Sequence, residues 1–229
     1  MKLTMKEFLQ KYRHAVPLLL YGLIYMLWFA HLETSMHFDM RIIHTWVDDY
    51  IPFCEYFVIP YLLWFLYVAT VIVYLMFQEK DSYYRALLFL ATGMTVFLII
   101  STIWPNGHRL RPLVMPRDNI FTQLIRTLYN SDPATSLWPS IHVYNSLGAH
   151  FAVSHCKKLE KHKVIRFGSL LLSISIILST MFIKQHSVFD VITAFVMATV
   201  MYVLVYRLDA AEELRARFSN RKKRRAIEL

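Results

Sequence analysis

Long apolar stretches separated by short polar segments run through most of this chain. A membrane-spanning helix needs about 20 mostly apolar residues, and six stretches approach that length. The predicted spans are residues 15–31, 51–77, 86–104, 140–153, 164–183 and 188–206. The fourth span is short and contains His142, Asn145, Ser146 and His150, and polar groups inside a membrane often serve a function. We therefore predict an all-α, polytopic membrane helical bundle with six transmembrane helices.

Two segments between the spans are long enough to form structure of their own. Residues 32–50 mix apolar and aromatic side chains with His and Asp, a composition that favours a short outer helix in the membrane interface. Residues 105–138 contain several prolines, one glycine and four arginines, which predicts an irregular loop with one short helix at 120–129. Because no flexible linker or repeat is evident, residues 1–208 are predicted to form one six-span membrane domain, followed by a basic cytoplasmic tail, residues 209–229.

Composition and charge support the membrane assignment and orient the spans. The 229 residues are 56% hydrophobic and only 18% charged, which is too apolar for an ordinary soluble domain. If six spans alternate, 19 of the 25 lysines and arginines fall on one side of the membrane. The positive-inside rule places that side and both termini in the cytoplasm. The net charge of +9 is then a topology signal that also suits anionic lipid headgroups, and we expect no nucleic-acid partner.

A histidine and an aspartate at the start of the last span are the first candidates for chemistry. His186 and Asp190 are four residues apart, so on a helix the carboxylate can accept a hydrogen bond from one imidazole nitrogen and leave the other as a nucleophile. The same spacing also fits a purely structural pair. His44 and Asp48 provide a control, because they share this spacing and have no partner motif nearby.

Two further motifs fall on the same predicted side of the membrane. The sequence Pro139-Ser140-Ile141-His142 has a helix-start signature, and backbone N–H groups at a helix N-terminus bind anions. Arg109 and Arg111 bring guanidinium groups, which match phosphate oxygens, to the preceding loop. Each motif alone also fits a purely structural role, as an ordinary helix cap or a solvated loop. Together with His186 they point to phosphoryl transfer on a lipid.

The order of these motifs resembles the type 2 phosphatidic acid phosphatase superfamily, a six-span group of lipid phosphatases and phosphotransferases. The matching residues are Arg111-Pro112, Pro139-Ser140-Ile141-His142, and Ser179 through His186 to Asp190. The resemblance implies that His186 is a nucleophile forming a phosphohistidine, that Asp190 orients it, and that His142 serves the leaving and accepting oxygens. It also implies that Arg111 and the backbone at Ser140 hold the phosphate, with no metal ion and no cofactor.

Three positions depart from the superfamily pattern. The usual lysine of the first motif is Trp104, the usual arginine of the third is Thr180, and the glycine of Pro-Ser-Gly-His is Ile141. Arg109 and Lys184 are candidate replacements for the two missing phosphate-binding cations. The bulky residue before His142 is more similar to the branch that contains inositol phosphorylceramide and sphingomyelin synthases. The resemblance therefore implies a lipid phosphatase or, with a lipid hydroxyl as acceptor, a head-group transferase.

A catalytic zinc site and a transporter or structural bundle are the alternatives. No His-Glu-x-x-His motif is present, and the acidic and histidine residues in and beside the 32–50 segment lack a recognisable ligand spacing: His31, Glu33, His37 and His44. Transporters keep ionisable residues near the membrane midplane, whereas His142 and His186 lie at the mouths of spans. His150, two turns below His142, favours a transporter unless it makes an interhelical polar contact.

The sequence leaves the lipid, the acceptor and the oligomeric state open. Its compact length and the absence of any Asn-x-Ser/Thr motif favour an integral protein of a bacterial cytoplasmic membrane. With the termini in the cytoplasm, the active site is expected on the extracytoplasmic face.

Overall fold

The structure is a computed structural model that describes residues 12–35 and 40–208, and these residues are mostly helical. The α-helices of the described part are α1 (Val16–Ser35), α2 (Val58–Gln78), α3 (Lys80–Ile103), α4 (Ile120–Ser131), α5 (Ile141–His155), α6 (Lys163–Phe182) and α7 (Val188–Tyr202). Two short strands, β1 (Arg41–Ile42) and β2 (Asn106–Gly107), pair in parallel. The helix expected in the tail falls on residues 209–229, outside the described residues.

Five helical segments of the described chain are long and apolar enough to cross a membrane, which is consistent with an integral membrane protein. They are Arg13–Thr34, Glu55–Gln78, Lys80–Ile103, Lys163–Phe182 and Val188–Arg207. The second begins later than predicted, at a 3₁₀ turn over Glu55–Phe57. Ile51 precedes Pro52, and a residue before proline avoids the helical conformation, so residues 51–54 are not helical.

The prediction of six spanning helices is not confirmed, because α5 is too short. Its 15 residues extend about 22 Å, less than the roughly 30 Å hydrocarbon thickness of a bilayer. Helix α5 instead lies at the centre of the bundle, where it packs against α2, α3, α6 and α7. Its polar side chains His142, Asn145 and Ser146 are therefore buried by the surrounding protein.

Aromatic stacking and polar contacts hold α5 in this central position. The rings of Tyr144 and Phe89 stack with their centroids 4.6 Å apart, and the Tyr144 hydroxyl donates to the Phe89 carbonyl over 2.8 Å. Gly93 on α3 is necessary here, since a β-carbon at that position would collide with the Tyr144 ring. His150 Nδ1 lies 3.1 Å from Ser169 Oγ on α6. This contact confirms that His150 makes an interhelical polar contact. His150 therefore no longer favours a transporter.

A pair of short strands joins two distant parts of the sequence. Strand β1 follows α1 and pairs with β2 after α3, so residues 41–42 are joined to the start of the 105–138 loop. In the described part of the first segment, residues 40–50 form β1 and a 3₁₀ turn over Trp46–Asp49 in place of the expected helix; residues 36–39 lie outside the description.

Helix α4 begins at the residue predicted for the loop helix. Asn119 caps it by accepting hydrogen bonds from the backbone N–H groups of Phe121 and Thr122 at 3.0 Å each. The fully buried Glu55 accepts two hydrogen bonds from Arg117, at 2.9 and 3.0 Å, and one from Asn119 at 3.1 Å. These bonds fasten the start of α4 to the start of α2.

The orientation of this bundle in the membrane can be tested by cysteine labelling. In a Cys54→Ser, Cys156→Ser background, Leu113→Cys should react with an impermeant thiol reagent applied from outside, and Lys161→Cys should not. Both positions are exposed, so accessibility alone does not separate them. The expected difference rests on the positive-inside rule. The reverse labelling pattern would overturn the predicted topology.

Candidate active site

Two capped helix starts bring the predicted catalytic residues to one place. Ser140 caps α5 by accepting a hydrogen bond from the Val143 N–H at 3.4 Å, which places His142 in the first turn. Ser187 caps α7, and in return the Asp190 carboxylate accepts from the Ser187 N–H at 2.9 Å. The Ser140 N–H also donates to the Asp190 carbonyl over 3.3 Å, so the starts of α5 and α7 are directly joined.

His142, His186 and Asp190 form a buried chain of contacts. His142 Nδ1 lies 3.2 Å from His186 Nε2, and His186 Nδ1 lies 3.4 Å from Asp190 Oδ2. Because the carboxylate accepts from His186 Nδ1–H, the Nε2 atom of His186 carries the lone pair, and His142 Nδ1 carries the proton between the rings. Burial and, secondarily, the charge of Arg111 lower the pKa of His186 to about 3. Its imidazole is therefore neutral and nucleophilic at physiological pH.

The His142 imidazole packs against two aromatic rings of α2. The ring centroid of Trp64 is 4.4 Å away and that of Tyr61 is 4.6 Å away. The negative faces of aromatic rings stabilise a nearby cation. The surroundings thus keep His142 fixed and can stabilise it when it holds a second proton.

A tight turn after α6 presents His186 to this chain. The N–H groups of Gln185 and His186 both donate to the Thr180 carbonyl, at 2.8 and 3.0 Å. His108, a buried residue of the loop after β2, accepts from the Leu110 N–H and donates through Nε2 to the Gln185 carbonyl at 2.9 Å. Burial lowers the pKa of His108 to about 4, so this ring stays neutral and keeps its donor on Gln185.

Asp48 also contacts the turn that carries His186. The prediction that Asp48 has no partner motif is therefore wrong. The Asp48 carboxylate accepts from Ser187 Oγ at 2.7 Å, from the Val188 N–H at 2.8 Å, and from the N–H and hydroxyl of Thr45. Burial disfavours the charge, but these hydrogen bonds outweigh it and lower the pKa of Asp48. His44 pairs with Asp49 instead, at 2.8 Å on the surface. Asp48 therefore does have a partner motif, 139 residues away in the chain.

Lys184 adds a second link between this turn and the 48–51 segment. Its ammonium donates to the carbonyls of Asp48 and Ile51, at 2.8 and 2.6 Å. Its backbone adopts a left-handed conformation with φ of 52°, which reverses the chain directly before His186. Two of the three ammonium protons of Lys184 are thus committed to backbone oxygens, and its contact with a phosphate stays a prediction.

The two arginines of the first motif differ in position. Arg111 is partly buried over the Tyr129 ring, and it donates to the carbonyls of Tyr129 and Asp132 and to Gln185 Oε1. Its Nε is buried and bonds to no described residue, so a donor remains for a ligand. Arg109 is exposed on the loop, and its role in binding phosphate stays a prediction.

The two positions that lack the family cations are occupied differently. Trp104 is exposed and carries the Arg41 guanidinium over its ring at 4.3 Å. Thr180 is fully buried, and its hydroxyl donates back to the Ile177 carbonyl within α6. Neither position therefore supplies a cation to the histidine pair.

A small cavity of about 30 Å³ lies beside the two histidines. That is room for only a few water molecules, since one needs roughly 10 to 15 Å³ of such space. Its lining includes apolar side chains, among them Phe29 from α1 and Phe97 from α3, and polar side chains, among them Asp132 and Gln185. In the described part of the chain, no group of three or more His, Cys, Asp or Glu side chains is arranged to hold a metal ion.

Four residues of this site were missed by sequence reasoning: Asp48, His108, Asp132 and Gln185. Each lies in a loop, where no helical periodicity fixes the direction of its side chain. His108 and Gln185 adjoin residues that the sequence analysis predicted to be functional. Their position next to a motif is therefore the feature that could have identified them. Asp48 and Asp132 meet the site through contacts across long sequence separations.

Comparison with known proteins supports the motif assignment over the second half of the chain. The family model of the PAP2 superfamily matches residues 108–213, a segment that begins at His108 and includes His142, His186 and Asp190. No curated protein and no solved structure matches the chain. The resemblance to this superfamily is thus confirmed for that segment, and the closer similarity to the inositol phosphorylceramide synthase branch stays a prediction.

Proposed function

We propose that this protein is a membrane-embedded lipid phosphatase or phosphotransferase that works through a phosphohistidine at His186. The observation that carries the proposal is the buried chain from His142 through His186 to Asp190. Its support is the match of residues 108–213 to the PAP2 superfamily, which implies phosphatase or phosphotransferase chemistry. The first candidate reaction is hydrolysis of a lipid phosphate ester or diphosphate.

In the first step His186 Nε2 attacks the phosphorus and the bond to the leaving oxygen breaks. His142 enters this step as imidazolium, with a second proton supplied by the substrate phosphate or by solvent, and gives its Nδ1 proton to that oxygen, so that it becomes a neutral imidazole. The positive charge that develops on His186 is met by Asp190 through Nδ1–H. Hydrogen bonds in free enzymes are often long, and the 3.4 Å contact is expected to shorten as the charge forms.

In the second step an acceptor oxygen replaces the imidazole. The neutral His142 takes a proton from the acceptor on Nδ1, the new P–O bond forms, and the P–N bond breaks. His142 is then imidazolium and His186 is neutral, as at the start of the first step. Water as the acceptor gives a phosphatase, and a lipid hydroxyl gives a head-group transferase.

Charge on the phosphoryl oxygens must be met by positive groups and N–H donors. Arg111 is the best placed guanidinium, since its charge already acts on His186. The helix start after Ser140 contributes backbone donors. Arg109 and Lys184 complete the proposed phosphate-binding set, and the set includes no metal ion and no cofactor.

The lipid part of the substrate is proposed to follow the apolar side chains that line the cavity. Phe29 belongs to α1, whose outer face exposes Leu19, Leu23 and Leu27. In a bilayer such a face contacts acyl chains. A phosphorylated lipid could therefore reach His186 from the side of the bundle, with its chains in the membrane.

The head-group transferase is a second candidate because the site is poor in cations. Trp104 and Thr180 replace two positive residues of the family pattern, and each makes contacts of its own. Fewer cations suit a phosphate that carries less negative charge. We place this candidate beside the hydrolase, since both use the same phosphohistidine.

The roles of the two histidines predict different mutant phenotypes. His186→Ala should abolish turnover of short-chain phosphatidate by purified protein in detergent. His142→Ala should lower kcat by about 100-fold to 10,000-fold, the usual value of general acid catalysis. A p-nitrophenyl ester needs no proton on its leaving group, so it should recover much of the His142→Ala loss. His155→Ala, an exposed histidine at the other end of α5, is the control. Near-normal turnover by His186→Ala would exclude the phosphohistidine.

Asp48 should affect catalysis through the position of His186. In Asp48→Ala the Val188 N–H and Ser187 hydroxyl lose their acceptor, and the turn before α7 loosens. We expect kcat to fall at least tenfold with little change in KM, and Asp48→Asn to retain an intermediate rate. Asp49→Ala removes the same charge from the exposed neighbour and should leave both constants unchanged. Equal effects of the two alanine variants would contradict a positioning role.

The proposed phosphate site also predicts that the reaction is insensitive to chelators. Arg111 and backbone N–H groups are expected to meet the charge of the phosphoryl oxygens without a cation. Phosphate release from phosphatidate should be the same in excess EDTA as in buffer alone. Loss of activity in EDTA with recovery on adding zinc or magnesium would show that a metal ion takes part.

A further inference from the structure

Residues 45–54 are hydrogen-bonded at three places to residues 182–188, the turn that carries His186. The Asp48 carboxylate accepts two hydrogen bonds from the end of this turn. The Cys54 N–H donates to the carbonyl at its beginning over 3.0 Å. Between these places, the lysine of the turn donates to two carbonyls of the segment, at 2.8 and 2.6 Å. The segment and the turn therefore form one hydrogen-bonded body, which we name the loop–turn unit.

The loop–turn unit lies where three of the long apolar helices end. One of these helices begins at Glu55, another ends at Phe182 and a third begins at Val188. The ends of spanning helices mark the boundary of the hydrocarbon core of a bilayer. The unit is therefore expected at the interface between the membrane and the water.

Two large aromatic side chains project from the loop–turn unit. Trp46 is 74% exposed and Tyr50 is 78% exposed, and their rings meet edge to face with centroids 6.0 Å apart. Asp48, between them in the sequence, is only 2% exposed. The same turn thus directs two rings outward and a carboxylate inward. Tryptophan and tyrosine are enriched at membrane interfaces, where their amphipathic rings lie at the level of the lipid headgroups.

We propose that Trp46 and Tyr50 anchor the loop–turn unit in the headgroup region of the adjacent leaflet, and that the bilayer thereby sets the position of His186. The anchor is a surface for phospholipid headgroups. Its effect on His186 rests on the phosphohistidine function proposed above, and it makes that function dependent on the membrane.

The geometry of the two histidines explains why the position of the turn matters. A phosphoryl group fits beside both side chains only if His186 moves relative to His142, because their facing nitrogens are 3.2 Å apart. His142 is packed between aromatic rings on the central helix. The turn that carries His186 is instead bonded to residues 45–54 and follows their movement. A leaflet that holds Trp46 and Tyr50 at headgroup level therefore determines the space between nucleophile and general acid.

A fluorescent label can test where the anchor lies. In a Cys54→Ser, Cys156→Ser background, Trp46→Cys would carry an environment-sensitive dye in phosphatidylcholine nanodiscs. A nitroxide on the lipid headgroup should quench the dye, and iodide in the water should not. Strong quenching by iodide would place this residue in water, and protection from both quenchers would place it against another protein. Either result would overturn the anchor.

Hydrogen exchange tests the coupling without catalysis. In nanodiscs, the Val188 amide, which donates to Asp48, should exchange at least tenfold faster in the double variant Trp46→Ala, Tyr50→Ala than in the wild type. Both side chains are exposed, so the double variant should still fold. Leu113→Ala removes an equally exposed apolar side chain from outside the unit and should leave this rate unchanged. Equal exchange in the double variant and the wild type would overturn the coupling, even in an active enzyme.

Activity connects the anchor to the reaction. We would compare kcat for short-chain phosphatidate in nanodiscs and in detergent, using the full chain. The ratio of nanodisc to detergent values should be at least ten for the wild type and for Leu113→Ala, and near one for the double variant. A double variant that keeps the wild-type ratio would overturn the control of His186 by the bilayer. Full activity of His186→Ala would overturn the phosphohistidine alone, because quenching and hydrogen exchange need no catalysis.

Discussion

The carboxylate of Asp48 links the two halves of the chain at the point where the site forms. It accepts four hydrogen bonds, from Thr45 on its own segment and from Ser187 and Val188 at the start of α7. A buried carboxylate is stable only when such donors surround it. The donors at the start of α7 would in turn lose free energy if they were buried without Asp48 as their acceptor. Their hydrogen bonds to Asp48 therefore fix where α7 begins. Since His186 and Asp190 flank that start, the geometry of the catalytic pair depends on a residue far away in the sequence.

Burial controls the chemistry of the site as well as its shape. An imidazole in an apolar environment loses its proton readily, so His186 and His108 both remain neutral. Neutrality makes His186 a nucleophile and lets His108 act as a fixed donor to the Gln185 carbonyl. The same low dielectric strengthens the interaction between every remaining pair of charges in the site.

Local sequence patterns predicted the parts of the structure that local interactions determine. Apolar stretches located the long helices, a cap residue located the start of α5, and spacing four residues apart brought His186 to Asp190. Length alone was misleading for α5, because a helix enclosed by four others need not match the thickness of a bilayer. The pattern could show its polar residues but not that protein surrounds them.

Long-range contacts were beyond the reach of such patterns. The spacing of His44 and Asp48 implies a shared face only on an α-helix, and a 3₁₀ turn at Trp46–Asp49 sends the two side chains to different partners. Lys184 is separated from His186 by only one residue, and no feature of the sequence showed that its ammonium bonds to the carbonyls of Asp48 and Ile51. The left-handed backbone at Lys184 could not be predicted from the sequence either, since single residues reveal backbone conformation poorly.

The contact between His142 and His186 constrains how a substrate can be accommodated. For attack, phosphorus must come within about 3 to 3.5 Å of His186 Nε2 while its leaving oxygen lies within hydrogen-bond reach of His142. The 3.2 Å between the two nitrogens leaves no space for a phosphoryl group, and the adjoining cavity of about 30 Å³ has room for only a few water molecules. His142 is packed between aromatic rings on the central helix, whereas His186 lies on a short turn. A productive complex therefore requires displacement of that turn, and the hydrogen bonds of Asp48, His108 and Lys184 set how far it can move.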